Sequence, residues 1–210
     1  MLKFVAGLLL LYAFPVWGQD APLFEAVAAG HLEVVERLVS ERSAVNARNA
    51  GGETPLFVAA EQGRGAIARF LLDQGADVKI ASNNGETVLH AAVLNGDPGL
   101  LRLLLDRGAE VNRANRDGER PLFWAAMAGT GRAAQLLIEH GASIDAVDAH
   151  GNSALHGAAD AGNETTAWLL LDQGANPALR NDSGDSALDI ARRRGYGSIV
   201  DLLQRQGRRP

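Results

Sequence analysis

Apolar and small residues fall along this chain in a pattern that repeats. The stretch GETPLFVAAEQG from Gly52 is nearly rewritten as GETVLHAAVLNG from Gly85, GERPLFWAAMAG from Gly118 and GNSALHGAADAG from Gly151. A fifth start follows at Gly184, and successive starts stand 33 residues apart (85 − 52 = 33, 118 − 85 = 33). The second half of each unit recurs as well, as FLLDQGADV, LLLDRGAEVN, LLIEHGASID and LLLDQGANP. A period of this size marks stacked supersecondary units rather than one mixed core.

Each unit predicts two short helices. Thr54 and Thr87 are placed to accept the orphan N–H groups of a first helical turn. Pro22, Pro55 and Pro121 suit the first helical position, where a missing N–H costs nothing. Ala59–Ala60 and Ala125–Ala126 are small enough for neighbouring first helices to approach closely. Gly63, Gly96, Gly129 and Gly162 end the first helix, and Gly75, Gly108, Gly141 and Gly174 the second, as glycine does where φ turns positive. Leu71–Leu72, Leu104–Leu105, Leu136–Leu137 and Leu169–Leu170 carry the second helix into the core. Polar stretches such as 49–53 predict projecting turns. A lone unit cannot bury its apolar face, so stability comes from stacking.

These residues resemble the ankyrin repeat, whose signature is G-x-T-P-L-H-x-A-A, a central Gly, a Leu-Leu pair and a closing G-A. The resemblance covers nearly all of residues 20–207. It implies an all-α ankyrin-repeat solenoid of about six helix-turn-helix units with short β-turn fingers. The expected units are 20–46, 47–79, 80–112, 113–145, 146–178 and 179–207, within a domain spanning 19–207 and followed by a basic tail, 208–210. The first unit opens directly on a helix, with Asp20 as its expected cap. The last replaces the small apolar pair by Ala191 and Arg192 and continues with Arg193 and Arg194. Polar outer faces of this kind suit terminal caps.

Residues 1–18, MLKFVAGLLLLYAFPVWG, are a different material. Lys3 precedes an apolar run from Phe4 to Phe14, and Val16 and Gly18 take the −3 and −1 places of a cut before Gln19. That is the layout of a signal peptide, and the run falls short of the roughly 20 apolar residues that span a bilayer. The expectation is an exported chain, periplasmic or secreted. An uncleaved anchor, which makes a membrane-tethered scaffold, and a buried first helix are the alternatives.

Composition adds exclusions. A hydrophobic fraction of 47% and a charged fraction of 21% belong to a folding chain. The net charge of −5 speaks against nucleic acid as a partner. The absence of Cys removes thiol nucleophiles, disulfides and thiolate metal sites. His90 and His156 stand at the signature His, where the resemblance implies a ring that fixes the turn through backbone hydrogen bonds. Phe24, Phe57 and Phe123 fill the same place elsewhere. His31 and His140 flank helix-ending glycines, His150 sits on a turn, and no H-x-x-x-H pair exists, so no metal is expected. Gly129-Thr130-Gly131 follows no strand and is no phosphate loop. No catalytic residues and no cofactors are expected. Asn163-Glu164-Thr165 and Asn181-Asp182-Ser183 are glycosylation triplets.

What remains is surface. Reading the repeat down its columns, Glu25, Val58, Ala91, Trp124 and Gly157 share one position; Ala28, Glu61, Leu94, Met127 and Asp160 share another. The resemblance places both in a concave groove where partners bind. Val58, Leu94, Trp124 and Met127 make an apolar centre rimmed by Glu25, Glu61 and Asp160, the anatomy of a hot spot. The competing reading is that Trp124 folds back on its neighbours and packs. A third column, Glu53, Glu86, Glu119, Asn152 and Asp185, is either an acidic ridge steering a basic partner or a solvated edge. Trp168 belongs on the convex side. The arginines of the C-terminal end (192–194, 205, 208 and 209) make a solvated cap or a headgroup contact. The expected function is non-catalytic binding of another protein, an exported enzyme or toxin that is stabilised, protected or inhibited.

Overall fold

A computed structural model of the chain describes residues 20–42 and 45–206. The leader call on 1–18 and the tail call on 208–210 lie outside the described residues. Twelve helices stand in the described residues, in six pairs: α1 (Ala21–Ala29) with α2 (Leu32–Arg42), α3 (Pro55–Glu61) with α4 (Gly65–Asp73), α5 (Val88–Asn95) with α6 (Pro98–Asp106), α7 (Pro121–Ala128) with α8 (Gly131–Glu139), α9 (Ala154–Ala161) with α10 (Glu164–Asp172), and α11 (Ala187–Arg194) with α12 (Gly197–Gln206). The first helices pack on one another in chain order, α1 to α11, and the second helices do the same, α2 to α12. Two rows of short helices therefore stack into an all-α solenoid.

Local chemistry explains the short helices. Thr54 Oγ1 accepts the Phe57 N–H at 3.2 Å, and Pro55 follows at the first helical position. Gly30, Gly96, Gly129, Gly162 and Gly195 cap the first helices in the left-handed conformation, where glycine escapes the Cβ penalty. Asp20 departs from expectation. It precedes α1 but makes no side-chain cap bond, and Pro22 stands one residue inside the first helical position.

The core is one continuous apolar stripe between the rows. Leu71, Leu104, Leu136, Leu137 and Leu170 are completely buried, and the Ala59–Ala60 and Ala125–Ala126 pairs have no exposed surface. Small side chains in the inner row let first helices approach, while leucines of the outer row fill the space between layers.

The turns between pairs are laced together by backbone hydrogen bonds. The N–H groups of Asn83, Arg116, Ala149 and Asp182 donate to the carbonyls of Gly51, Asn84, Asp117 and His150 at 2.7 to 3.0 Å. Isolated antiparallel bridges, Val147 with Ser153 and Arg180 with Ser186, close two of these fingers. Gly118 shows how tightly they stack: its φ is 77°, and a Cβ there meets the Ala149 nitrogen at 2.7 Å. Only glycine fits.

Candidate functional site

The first helices and the fingers form the side that the resemblance makes the concave face. One hollow there, about 320 Å³, is lined by Leu94, Glu119, Phe123, Trp124 and Met127. Leu94 is 52% exposed and Met127 41%. Both stand about one turn along the inner helix from the His/Phe position.

Trp124 is half-buried. Its ring stands edge-on to His90 of the preceding unit, centroids 5.1 Å apart at 81°. Its indole N–H donates to Glu119 Oε2 at 2.7 Å. The reading in which Trp124 packs on its neighbours is therefore met by real contacts, yet one side of the ring still lines the hollow. A braced aromatic loses little conformational freedom on binding. Gly157 makes room on the other side, because a Cβ there meets Phe123 Cε2 at 3.1 Å and Met127 Cγ at 3.2 Å.

His90 backs Trp124. Its Nδ1 accepts the Thr87 N–H at 3.0 Å, which leaves the ring proton on Nε2 to reach the Glu119 carbonyl at 3.2 Å. Burial pushes its pKa down to about 4, so the ring is neutral. His156 repeats the arrangement with Ser153 and the Asp185 carbonyl, and burial lowers its pKa too. In the last unit Asp189 takes this position and accepts from Ser186 N–H and Oγ. Hydrogen bonding to Ser186 lowers its pKa.

Three expectations change. Val58 is 8% exposed and lies under a different hollow, of about 430 Å³, with Phe24, Glu25, Glu53 and Glu61. The single apolar centre is thus two separate hollows with no lining residue in common, and the buried Ala91 stands between Val58 and Trp124 in the column. Asp160 joins neither: Arg194 holds it in a two-pronged ion pair at 2.8 and 2.9 Å, on the wall of a third hollow with Phe123, Met127 and His156. The acidic column is tied to its own turns. Glu53 and Glu119 accept from Asn49 and Asn115 side chains at 2.6 and 2.9 Å, Glu86 from Ser82 at 3.2 Å, and all three are half-buried turn braces.

That bracing exposes a column which reading the sequence missed: Asn49, Ser82, Asn115, Asp148 and Asn181. Each side-chain oxygen accepts the backbone N–H four residues on, at 2.8 to 3.2 Å. The signal was present, since these short polar residues recur at the repeat period and favour such turns. Arg64 was missed too; it donates twice to the Ala28 carbonyl, at 3.2 and 2.8 Å, and ties the second pair to the first.

Elsewhere, Trp168 is 51% exposed on the outer row, as expected. Both glycosylation triplets have engaged asparagines: Asn163 Nδ2 donates to the Ala126 and Met127 carbonyls, and Asn181 Nδ2 to Asn152 Oδ1. Among the described residues no group of His, Asp or Glu is arranged to hold a metal ion, and no helix is long and apolar enough to cross a membrane.

The family model for Ankyrin repeats (3 copies) matches residues 23–115 and again 110–181. The chain belongs to the ankyrin-repeat family. The last helix pair lies beyond the matched residues and repeats the geometry of the others. Ankyrin repeats are protein–protein interaction modules. No match was found among curated proteins.

Proposed function

We propose that this chain works outside the cytoplasm as a non-catalytic binder. It holds a partner protein in the central hollow formed by Leu94, Trp124 and Met127. The observation that carries the reading is a large aromatic ring fixed by His90 and Glu119 between two exposed apolar side chains. An aromatic anchor held ready inside an apolar hollow is the usual centre of an interface. Export rests on the run from Phe4 to Phe14 behind Lys3. The partner proposed is another exported protein, an enzyme stabilised, protected or inhibited by being held, or a toxin neutralised in the same way.

The test is affinity capture from the extracytoplasmic fraction, with wild type beside Leu94→Asp and Met127→Asp. Both positions are exposed, so these variants keep the fold. A partner held by wild type and lost by both variants supports the reading; a partner retained by both refutes the hollow. Intact mass of the bait addresses export. A chain beginning near Gln19 supports a cleaved leader, and one that retains residues 1–18 replaces it by the membrane-tethered scaffold.

A further inference from the structure

The second hollow differs in chemistry from the first. Its floor is apolar, made by Phe24, Ala28 and Val58, and its rim carries Glu25, Glu53 and Glu61. Glu25 and Glu61 are exposed, and none of the three forms an ion pair with a described residue. Asn49 occupies one oxygen of Glu53, and Gln62 one oxygen of Glu61 at 3.2 Å, which leaves the others open. The nearby Arg48 and Arg64 donate to the Ala81 and Ala28 carbonyls and form no ion pair with these carboxylates. At the third hollow the charges are paired, Asp160 with Arg194 and Asp185 with Arg193. Three carboxylates without an ion-pair partner among the described residues thus line the second hollow, against Glu119 alone in the central one.

A metal ion is a poor occupant, since the three carboxylates do not converge as a ligand set and the floor would go unused. A long basic side chain uses both parts. Its methylene stem lies on apolar surface while its charged head reaches carboxylates at the edge. We propose that this hollow receives an arginine or lysine, flanked by apolar residues, from an extended segment of the bound protein. The proposal rests on the concave face being the docking surface. It makes binding bipartite: an apolar anchor at Trp124 and a cationic one beside Val58.

The test is an amide-resolved NMR titration of the purified chain with the blocked tripeptide acetyl-Leu-Arg-Leu-amide, beside acetyl-Leu-Gln-Leu-amide. The arginine peptide is expected to give saturable shifts at residues 24–28 and 53–62 that weaken with added salt. The double variant Glu25→Gln, Glu61→Gln is expected to lower its affinity about fivefold, with the rest of the amide spectrum unchanged as the folding control. Equal shifts from the glutamine peptide, or unchanged affinity in the double variant, overturn the proposal. Shifts confined to Leu94, Trp124 and Met127 also overturn it while leaving the central hollow as a docking site. No saturable shift at residues 24–62 overturns it as well.

Discussion

The hollow at Trp124 and the hollow at Val58 stand on equivalent backbone, yet Glu119 is the one carboxylate lining the first while Glu25, Glu53 and Glu61 line the second. The same two columns supply both. Where unit four has Trp124 and Met127, the first two have Glu25, Ala28, Val58 and Glu61. The supporting side chains differ too: the buried His90 backs Trp124, whereas Phe24 lines the second hollow. A repeat architecture separates its tasks: glycines, leucines and paired alanines hold the stack, while two positions on the inner helix vary from unit to unit.

The comparison breaks most completely if the scaffold fails. Leu137 is completely buried between the rows. Leu137→Ala is expected to cost about 4 kcal/mol of unfolding free energy and to weaken both hollows together, measured by urea denaturation. Acid separates them next. His90 has a folded pKa of about 4 against 6.5 when unfolded, so the unfolded chain takes up a proton that the folded chain refuses. Its stabilising contribution is complete above pH 6.5 and falls as the pH drops toward 4, by roughly 3 kcal/mol in all. His156 acts in the same direction. Denaturation at pH 7 and pH 4.5 is expected to show the loss, and His90→Phe, which copies Phe57, is expected to flatten the slope.

Smaller effects sharpen the contrast. Trp124→Phe keeps the ring and removes the bond to Glu119, an expected loss of about 1 kcal/mol in the same assay. Thr166 goes the other way. Its hydroxyl is buried with no hydrogen-bond partner, so Thr166→Val is expected to raise stability by about 0.5 to 1 kcal/mol, visible as a higher thermal midpoint.

The period, the helix-ending glycines and the leucine pairs could be read from the sequence because each follows from backbone conformation or burial, which recur in every unit. The columns also identified Leu94 and Met127 as exposed. What they could not give was the reach of a side chain into the next unit. Val58 sank because Phe24 and Ala28 close around it, and the acidic column folded back because Asn49, Ser82 and Asn115 offer donors four residues away. Asp160 was lost to Arg194, 34 positions on, a partner supplied by the adjoining unit. Such choices depend on pairs across the stack, whereas a column records one position at a time.

The central claim is that recognition lies on the concave face at Trp124 and Met127. The most direct measurement places a photo-crosslinking amino acid at Met127 in one strain and at Trp168 in another, then irradiates living cells. A single crosslinked adduct from position 127 and none from position 168 is the predicted result. An adduct from position 168 alone moves the binding surface to the outer helices and contradicts the account.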